Sequence, residues 1–271
     1  MYFSMRDLGG DVKESLGKIP SAAGKWQFIK RIAENSGYDG MQVSSPIFGQ
    51  HDISLDRFPE YIRRYRLTFH VNGLFDLSKD GMTEKCDQAI ETGFRCAINN
   101  HMEDVSFHPP YLPHESHPYR DKVRDDFSSL IERWLPKFEN EGITLSVETH
   151  VGGNVFLFNG LENFAEYVSG YPGLGILIDV SHNFNDGRSV DEILGIFESL
   201  NITGLHLSDA ISGMEVKKGT HLPVGKGGID FSRFLSPFVK AENIYGALEI
   251  KSPSIDIAES LIRLKAATGL K

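Results

Sequence analysis

Six short apolar segments of this chain each end on a histidine or a carboxylate, the side chains that hold metal ions and move protons. They are Leu67-Thr-Phe-His70, Val105-Ser-Phe-His108, Thr144-Leu-Ser-Val-Glu148, Gly173-Leu-Gly-Ile-Leu-Ile-Asp179, Ile202-Thr-Gly-Leu-His206 and Ala247-Leu-Glu249. Charged groups are rarely buried unless paired or bound to metal, so packing explains such strand ends poorly. Glu148, Asp179, His206 and Glu249 could converge on one divalent cation. Three carboxylates and one imidazole form a hard, oxygen-rich set suited to Mn²⁺, Mg²⁺ or Co²⁺, and also open to Zn²⁺.

Other residues could line the same site. His70 and His108 either bind a second metal, such as zinc, or hydrogen-bond a ligand. His182, three residues after Asp179, reads as a pocket residue. His221 either touches substrate or braces its loop. Lys251 has the parity of Glu249, and could meet an anionic or enolic oxygen or lie along the rim. Gly225-Lys-Gly-Gly228 could wrap a phosphate, but reads better as the turn into the next helix. His150 either uses its lumen parity or is simply solvated, while His51, His101, His114 and His117 read as surface residues.

These side chains need a scaffold that brings strand ends to one rim. Strands are expected at Tyr2–Met5, Gly40–Ser44, Leu67–His70, Asp104–His108, Thr144–Glu148, up to Asp179, at Ile202–His206 and at Tyr245–Ile250. A Gly-rich loop follows the first strand. Helices are expected over Lys25–Asn35, Leu55–Tyr65, Thr83–Asn99, Asp121–Asn140, Leu161–Ser169, Val190–Leu200, Phe231–Ala241 and Ile255–Thr268. Gly142 suits a helix C-terminus. Eight strand–helix units in 271 residues predict an α/β fold, a single (β/α)8 TIM barrel spanning residues 1–271, with its site at the carboxyl ends of the strands. A doubly wound open sheet is the alternative, and Gly9-Gly10 alone lacks the glycine fingerprint expected of one.

Alternation along the strands sharpens this expectation, because side chains two apart share a face. Thr68 goes with His70, Ser106 with His108, Ser146 with Glu148, Gly204 with His206 and Ala247 with Glu249. The opposite face carries Leu67, Phe69, Val105, Phe107, Leu145, Val147, Leu205, Leu207, Leu248 and Ile250. Apolar residues then face the helices, and the small, polar and ligand residues face the lumen. Asp179 fits less well, since Leu177 and Gly175 share its face. Phe127, Trp134 and Phe138 of the long helix read as packing.

Composition narrows the function classes. With 40% hydrophobic and 24% charged residues the chain reads as an ordinary soluble protein. A net charge of -9 disfavours loose electrostatic binding to nucleic acid, although a local basic patch is compatible with it. No apolar run is long enough to span a bilayer, and no signal peptide is apparent. Two cysteines, Cys86 and Cys96, suggest no disulfide framework, so a cytoplasmic location is expected. Monomer and homo-oligomer are both compatible with the sequence.

The chain resembles the xylose isomerase-like barrel superfamily over nearly its whole length. The resemblance rests on Phe107-His108-Pro109, Val147-Glu148-Thr149, Ile178-Asp179-Val-Ser-His182, His206-Leu-Ser-Asp209, His221-Leu-Pro-Val-Gly225-Lys-Gly-Gly-Ile-Asp-Phe231 and Leu248-Glu249. It implies a metal held by Glu148, Asp179, His206 and Glu249, proton exchange with substrate carbon by Glu148 and Glu249, and a substrate contact at His182. The expected activity is a divalent-metal-dependent sugar or hydroxy-keto acid isomerase or epimerase, acting through an enediolate. The endonuclease IV branch of the superfamily implies an alternative, a zinc-dependent DNA-repair phosphodiesterase. That branch adds histidines matching His70, His108, His182 and His221 to build a three-zinc cluster. Its pattern also has an aspartate two residues before His221, where this chain has Gly219, and a different run after Asp179. The loop from His221 to Phe231 looks more like the isomerase loop. A non-catalytic sugar-binding barrel is a third reading, and four intact ligand positions argue against it.

Overall fold

The structure, a computed structural model, describes residues 1–6, 10–44, 54, 56–149 and 155–270, without the side chains of residues 10–12. Its strands are β1 (Tyr2–Met5), β2 (Gly40–Ser44), β3 (Arg66–Val71), β4 (Asp104–Phe107), β5 (Thr144–Glu148), β6 (Gly175–Asp179), β7 (Ile202–Leu207) and β8 (Tyr245–Leu248). They run parallel and close in chain order, β8 pairing back onto β1. The open doubly wound sheet is thereby excluded. Around the barrel lie α1 (Gly10–Gly17), α2 (Ala22–Ser36), α3 (Met82–Asn100), α4 (Arg120–Asn140), α5 (Leu161–Ser169), α6 (Val180–Asn185), α7 (Val190–Phe197), α8 (Val216–Gly219), α9 (Phe231–Leu235) and α10 (Ser254–Thr268).

Strand parity separates two cores. Leu67, Phe69, Val105, Phe107, Leu145, Val147, Leu205, Leu207, Leu248 and Ile250 pack in the large core between sheet and helices. Tyr2, Leu177, Tyr245 and Ala247 form a separate apolar cluster inside the lumen. Leu177 therefore plugs the barrel beneath Asp179, which accounts for the apolar residue on that carboxylate's face. A Cβ on Gly204 would collide with the Tyr245 ring, so β7 uses glycine to make room for the lumen aromatic. Outside, α4 buries Val123, Phe127, Leu130, Ile131, Trp134 and Phe138, a three–four spacing that lays one apolar stripe on the barrel. Gly142, with φ 67°, turns the chain after α4.

Several expected elements differ. The helix expected over residues 55–65 is, among the described residues, only turns, with the Pro59 carbonyl accepting from Ile62 and Arg63. Pro59 pushes Phe58 out of helical backbone, which cuts the segment short. The helix from Phe231 stops at Leu235 rather than Ala241, because Pro237 has no N–H for the ladder. Within the expected Gly-rich loop, residues 10–17 form α1. A further short helix, α6, starts directly on Asp179. Among the described residues no helix is long and apolar enough to cross a membrane.

Candidate active site

Register brings the strand ends level. Asp179 on β6 pairs with His206 on β7, and His70 on β3 pairs with Ser106 on β4. The ladder continues past β8, where the Glu249 N–H donates to the Leu207 carbonyl at 3.1 Å. One donor atom each from Glu148, Asp179, His206 and Glu249 lies within 4.8 Å of the others. Nδ1 of His206 bridges the two glutamates, 2.9 Å from Oε1 of Glu148 and 3.0 Å from Oε2 of Glu249. Three buried atoms facing this group make no hydrogen bond among the described residues: Oε2 of Glu148, Oδ2 of Asp179 and Nε2 of His70. Buried polar atoms without a hydrogen bond are costly unless something binds them. Three carboxylates, one imidazole and these uncommitted atoms fit a divalent cation.

Electrostatics charge the two glutamates and keep His70, His108 and His182 neutral, but move Asp179 and His206 toward their protonated forms. Burial opposes the charge on Glu148, yet His206, His108 and His70 outweigh it and hold the carboxyl well below the usual range. Burial likewise opposes the charge on Glu249, but Arg6 and His206 hold it down. Asp179 is pushed up by burial and by the charges of Glu249 and Glu148, a strain that a cation would relieve. Burial and Arg6 both disfavour a charged His206, but the two glutamates lift it to about 9. Burial lowers His70, His108 and, to about 4, His182, leaving them neutral and able to ligate near neutral pH.

The other expected site residues divide. His70 and His108 both face Oε2 of Glu148, from 3.4 and 3.3 Å. His70 is held by Ser106, 3.0 Å from its Nδ1. His182 and His221 point Nε2 at Nε2 across 3.2 Å and group with Asp179. His221 takes a left-handed backbone, φ 55°, with Nδ1 3.2 Å from the Glu249 carbonyl. Both readings of His221, site contact and loop brace, are therefore compatible with its position. Lys251 is exposed, beyond the end of β8. His101 and His114 are exposed and His117 is half-buried, whereas His51 and His150 lie outside the described residues.

The Gly225–Gly228 turn does not present its amides to a phosphate. Asp209, 1% exposed, accepts backbone N–H bonds from Gly225, Gly227 and Ile229 at 2.8 to 3.1 Å. An internal carboxylate fills the anion position and staples the loop after β7. The expectation that this run shapes a turn holds, with Asp209 as its organiser.

Sequence reasoning gave no individual role to four residues that shape the site. Arg6, just past β1, contacts Gln42, His206 and Glu249. Gln42 on β2 places its Oε1 2.9 Å from Nε2 of His206. Thr149 accepts from the Asp179 N–H and the Asn183 amide, both at 2.9 Å, and so ties β5 to β6 and α6. Asp209 is the fourth. One signal was available for α6: an aspartate opening a helix is a favoured N-cap, and Oδ1 of Asp179 accepts the His182 N–H at 2.9 Å. That bond commits Oδ1 and leaves Oδ2 facing the site.

The chain is a closed eight-stranded βα barrel whose C-terminal mouth gathers buried carboxylates and imidazoles that could hold a metal ion. Residues 29–266 match the family model described as xylose isomerase-like TIM barrel, and the chain belongs to that family. No curated protein sequence matches it significantly. Among solved structures it is similar to a D-tagatose 3-epimerase-like protein (TM-score 0.76, 20% identity, 99% of this chain and 97% of that one). It is also similar to endonuclease IV from Thermus thermophilus (TM-score 0.68, 17% identity, 99% of each chain). The IOLI protein with a bound zinc atom is a third (TM-score 0.66, 15% identity, 99% and 96%). At such identities the likeness is one of fold.

Proposed function

We propose that this protein is a divalent-metal-dependent sugar or hydroxy-keto acid isomerase or epimerase. The observation that carries the reading is the convergence of Glu148, Asp179, His206 and Glu249 at the barrel mouth, with both glutamates against Nδ1 of His206. A divalent cation held there would polarise a substrate carbonyl, acidify the neighbouring C–H and stabilise the enediolate formed on its loss. The two glutamates would do the proton work. Both are carboxylates at neutral pH, so either can accept a proton from carbon. They come from β5 and β8, with two strands between them, and so can address opposite faces of a planar intermediate. One takes the proton and the other returns one, which inverts the carbon. His70 and His108 stand against Glu148, and the half-open Glu249 is steadied by Arg6. His182 and His221, paired at the mouth, would hold substrate oxygens.

A second reading has its own observation. His70 with Glu148 and His206, and Asp179 with His182 and His221, are two further groups of metal-ligand geometry. They favour a polynuclear zinc hydrolase related to endonuclease IV. Against it stands Gly219, where that branch is expected to supply a carboxylate. A Cβ there would lie 2.7 Å from both Asn185 and Met214, so no side chain fits in this arrangement. The zinc at Asp179, His182 and His221 would lack that ligand.

The two readings part on one pair of assays. Ketoses and hydroxy-keto acids incubated with the metal-loaded protein in deuterated water should take up deuterium at the carbon next to the carbonyl. Duplex DNA containing an abasic site should remain intact. Absence of exchange on every candidate, together with metal-dependent incision at roughly one turnover per second or faster, would reverse the ranking.

A further inference from the structure

Arg6 is 7% exposed and sits among the carboxylates rather than at the rim. Its Nη2 holds Oε1 of Glu249 at 2.9 Å. Its Nη1 donates to Oε1 of Gln42 at 2.8 Å and contacts Nε2 of His206. Gln42 is oriented from its other end by the Tyr245 hydroxyl, which accepts from its Nε2 at 3.4 Å. The Gln42 carbonyl thus faces both Arg6 and Nε2 of His206. Nδ1 of His206 faces the carboxylate side, 2.9 Å from Glu148 and 3.0 Å from Glu249. A guanidinium cannot shed its charge, so this cluster carries a permanent internal cation.

We infer that Arg6 is the resident counter-charge of the carboxylate cluster: it neutralises Glu249 when no divalent ion is bound, and it weakens the binding of one. The inference rests on the metal reading of the site given above. Glu148, Asp179 and Glu249 repel one another at close quarters, and Arg6 makes an ion pair with Glu249 that offsets this. A divalent ion bound by the same carboxylates must share Glu249 with Arg6 and face its positive charge a few Å away. Removing the charge therefore acts with opposite signs on the two states. A residue with a merely structural role would weaken both together.

The test uses full-length wild type, Arg6→Gln and Arg6→Lys, each stripped with chelator, and reads thermal melting of the stripped protein and Mn²⁺ affinity by calorimetry. Repulsion across roughly 6 Å at an effective dielectric near 20 is large enough that Arg6→Gln should bind Mn²⁺ at least about tenfold more tightly. The stripped Arg6→Gln protein should melt at least about 3 °C lower than wild type. Arg6→Lys, which keeps the charge, should stay near wild type in both. Should stripped Arg6→Gln be unfolded, recovery of its circular dichroism on adding Mn²⁺ supports the inference, and failure to recover overturns it. Mn²⁺ binding by Arg6→Gln that is unchanged or weaker also overturns it, whatever the melt. If wild type binds none of Mn²⁺, Co²⁺ and Zn²⁺, the metal reading itself fails. A lower melt of Arg6→Gln beside a wild-type melt of Arg6→Lys would in that case still identify the counter-charge, and an equal loss in both variants would overturn it.

Discussion

The two ends of the barrel lumen each hold a fully buried aspartate, and the two are treated differently. At the floor, Asp104 accepts from the Tyr245 hydroxyl at 2.9 Å and from the Ser146 hydroxyl, so both oxygens are committed. Ser146 lies 2.8 Å from Thr203, extending the network across the strands. At the mouth, Asp179 commits Oδ1 to the Ser181 hydroxyl and the His182 N–H, while Oδ2 makes no hydrogen bond among the described residues. Burial pushes both carboxyls up, Asp104 to about 6. A shifted titration therefore does not separate a structural acid from a working one. What separates them is the uncommitted oxygen, together with neighbours that also hold atoms back. The floor is a closed hydrogen-bond network that locks the strands, and the mouth leaves carboxylate and imidazole atoms outside any such network among the described residues.

That contrast can be broken at the mouth first. Glu249→Gln removes a group proposed to transfer the proton and should slow deuterium exchange by about 10²–10⁴-fold. Exchange at the wild-type rate would remove Glu249 from the mechanism. Asp179→Ala should act on the ion itself. Losing a group that only orients a ligand typically weakens metal binding by about 10–100-fold, and losing a ligand should weaken it more. Metal analysis after dialysis checks this, and equal content in both proteins would show that Asp179 is not a ligand.

The floor should respond in stability instead. Asp104 has a folded value of about 6 against an ordinary 3.8, so its folded form keeps its proton to higher pH than its unfolded form. Its contribution is fully present below about pH 4 and is lost as pH rises through about 6. The amide introduced by Asp104→Asn does not titrate in this range. Urea melts should therefore show the variant gaining on wild type by up to about 3 kcal/mol between pH 4 and 7, with exchange activity retained. A stability difference that does not change with pH would mean the carboxyl is not held neutral. The smallest effect is expected at the rim. Lys251→Ala should alter exchange by no more than a few-fold, since exposed charges act weakly across solvent. A loss approaching that of Glu249→Gln would place Lys251 over the substrate.

Much of the architecture and much of the site were legible in the sequence for the same reason. A strand alternates faces with a period of two, so small or polar residues at Thr68, Ser106, Ser146 and Gly204 marked the lumen side before any contact was known. Once those strands form a parallel barrel, every strand-end ligand must meet at one rim. Glu148, Asp179, His206 and Glu249 could be grouped on that logic alone, without knowing a distance. Local steric rules that went unread, at Pro59 and Pro237, account for the helices drawn too long.

Only the tertiary structure decided which neighbours those ligands have. Arg6 is a lone arginine after a short strand, and nothing within several residues marks it. Its role comes from Gln42, His206 and Glu249, which are 36, 200 and 243 positions away. The Gly225–Gly228 turn looks locally like an anion cradle, and only the fold reveals that Asp209, 16 residues before Gly225, already fills it. Periodicity along a segment is a local property and can be read from one chain. The partner of a buried charge is chosen by closure of the barrel, which brings together residues whose separation in sequence carries no signal.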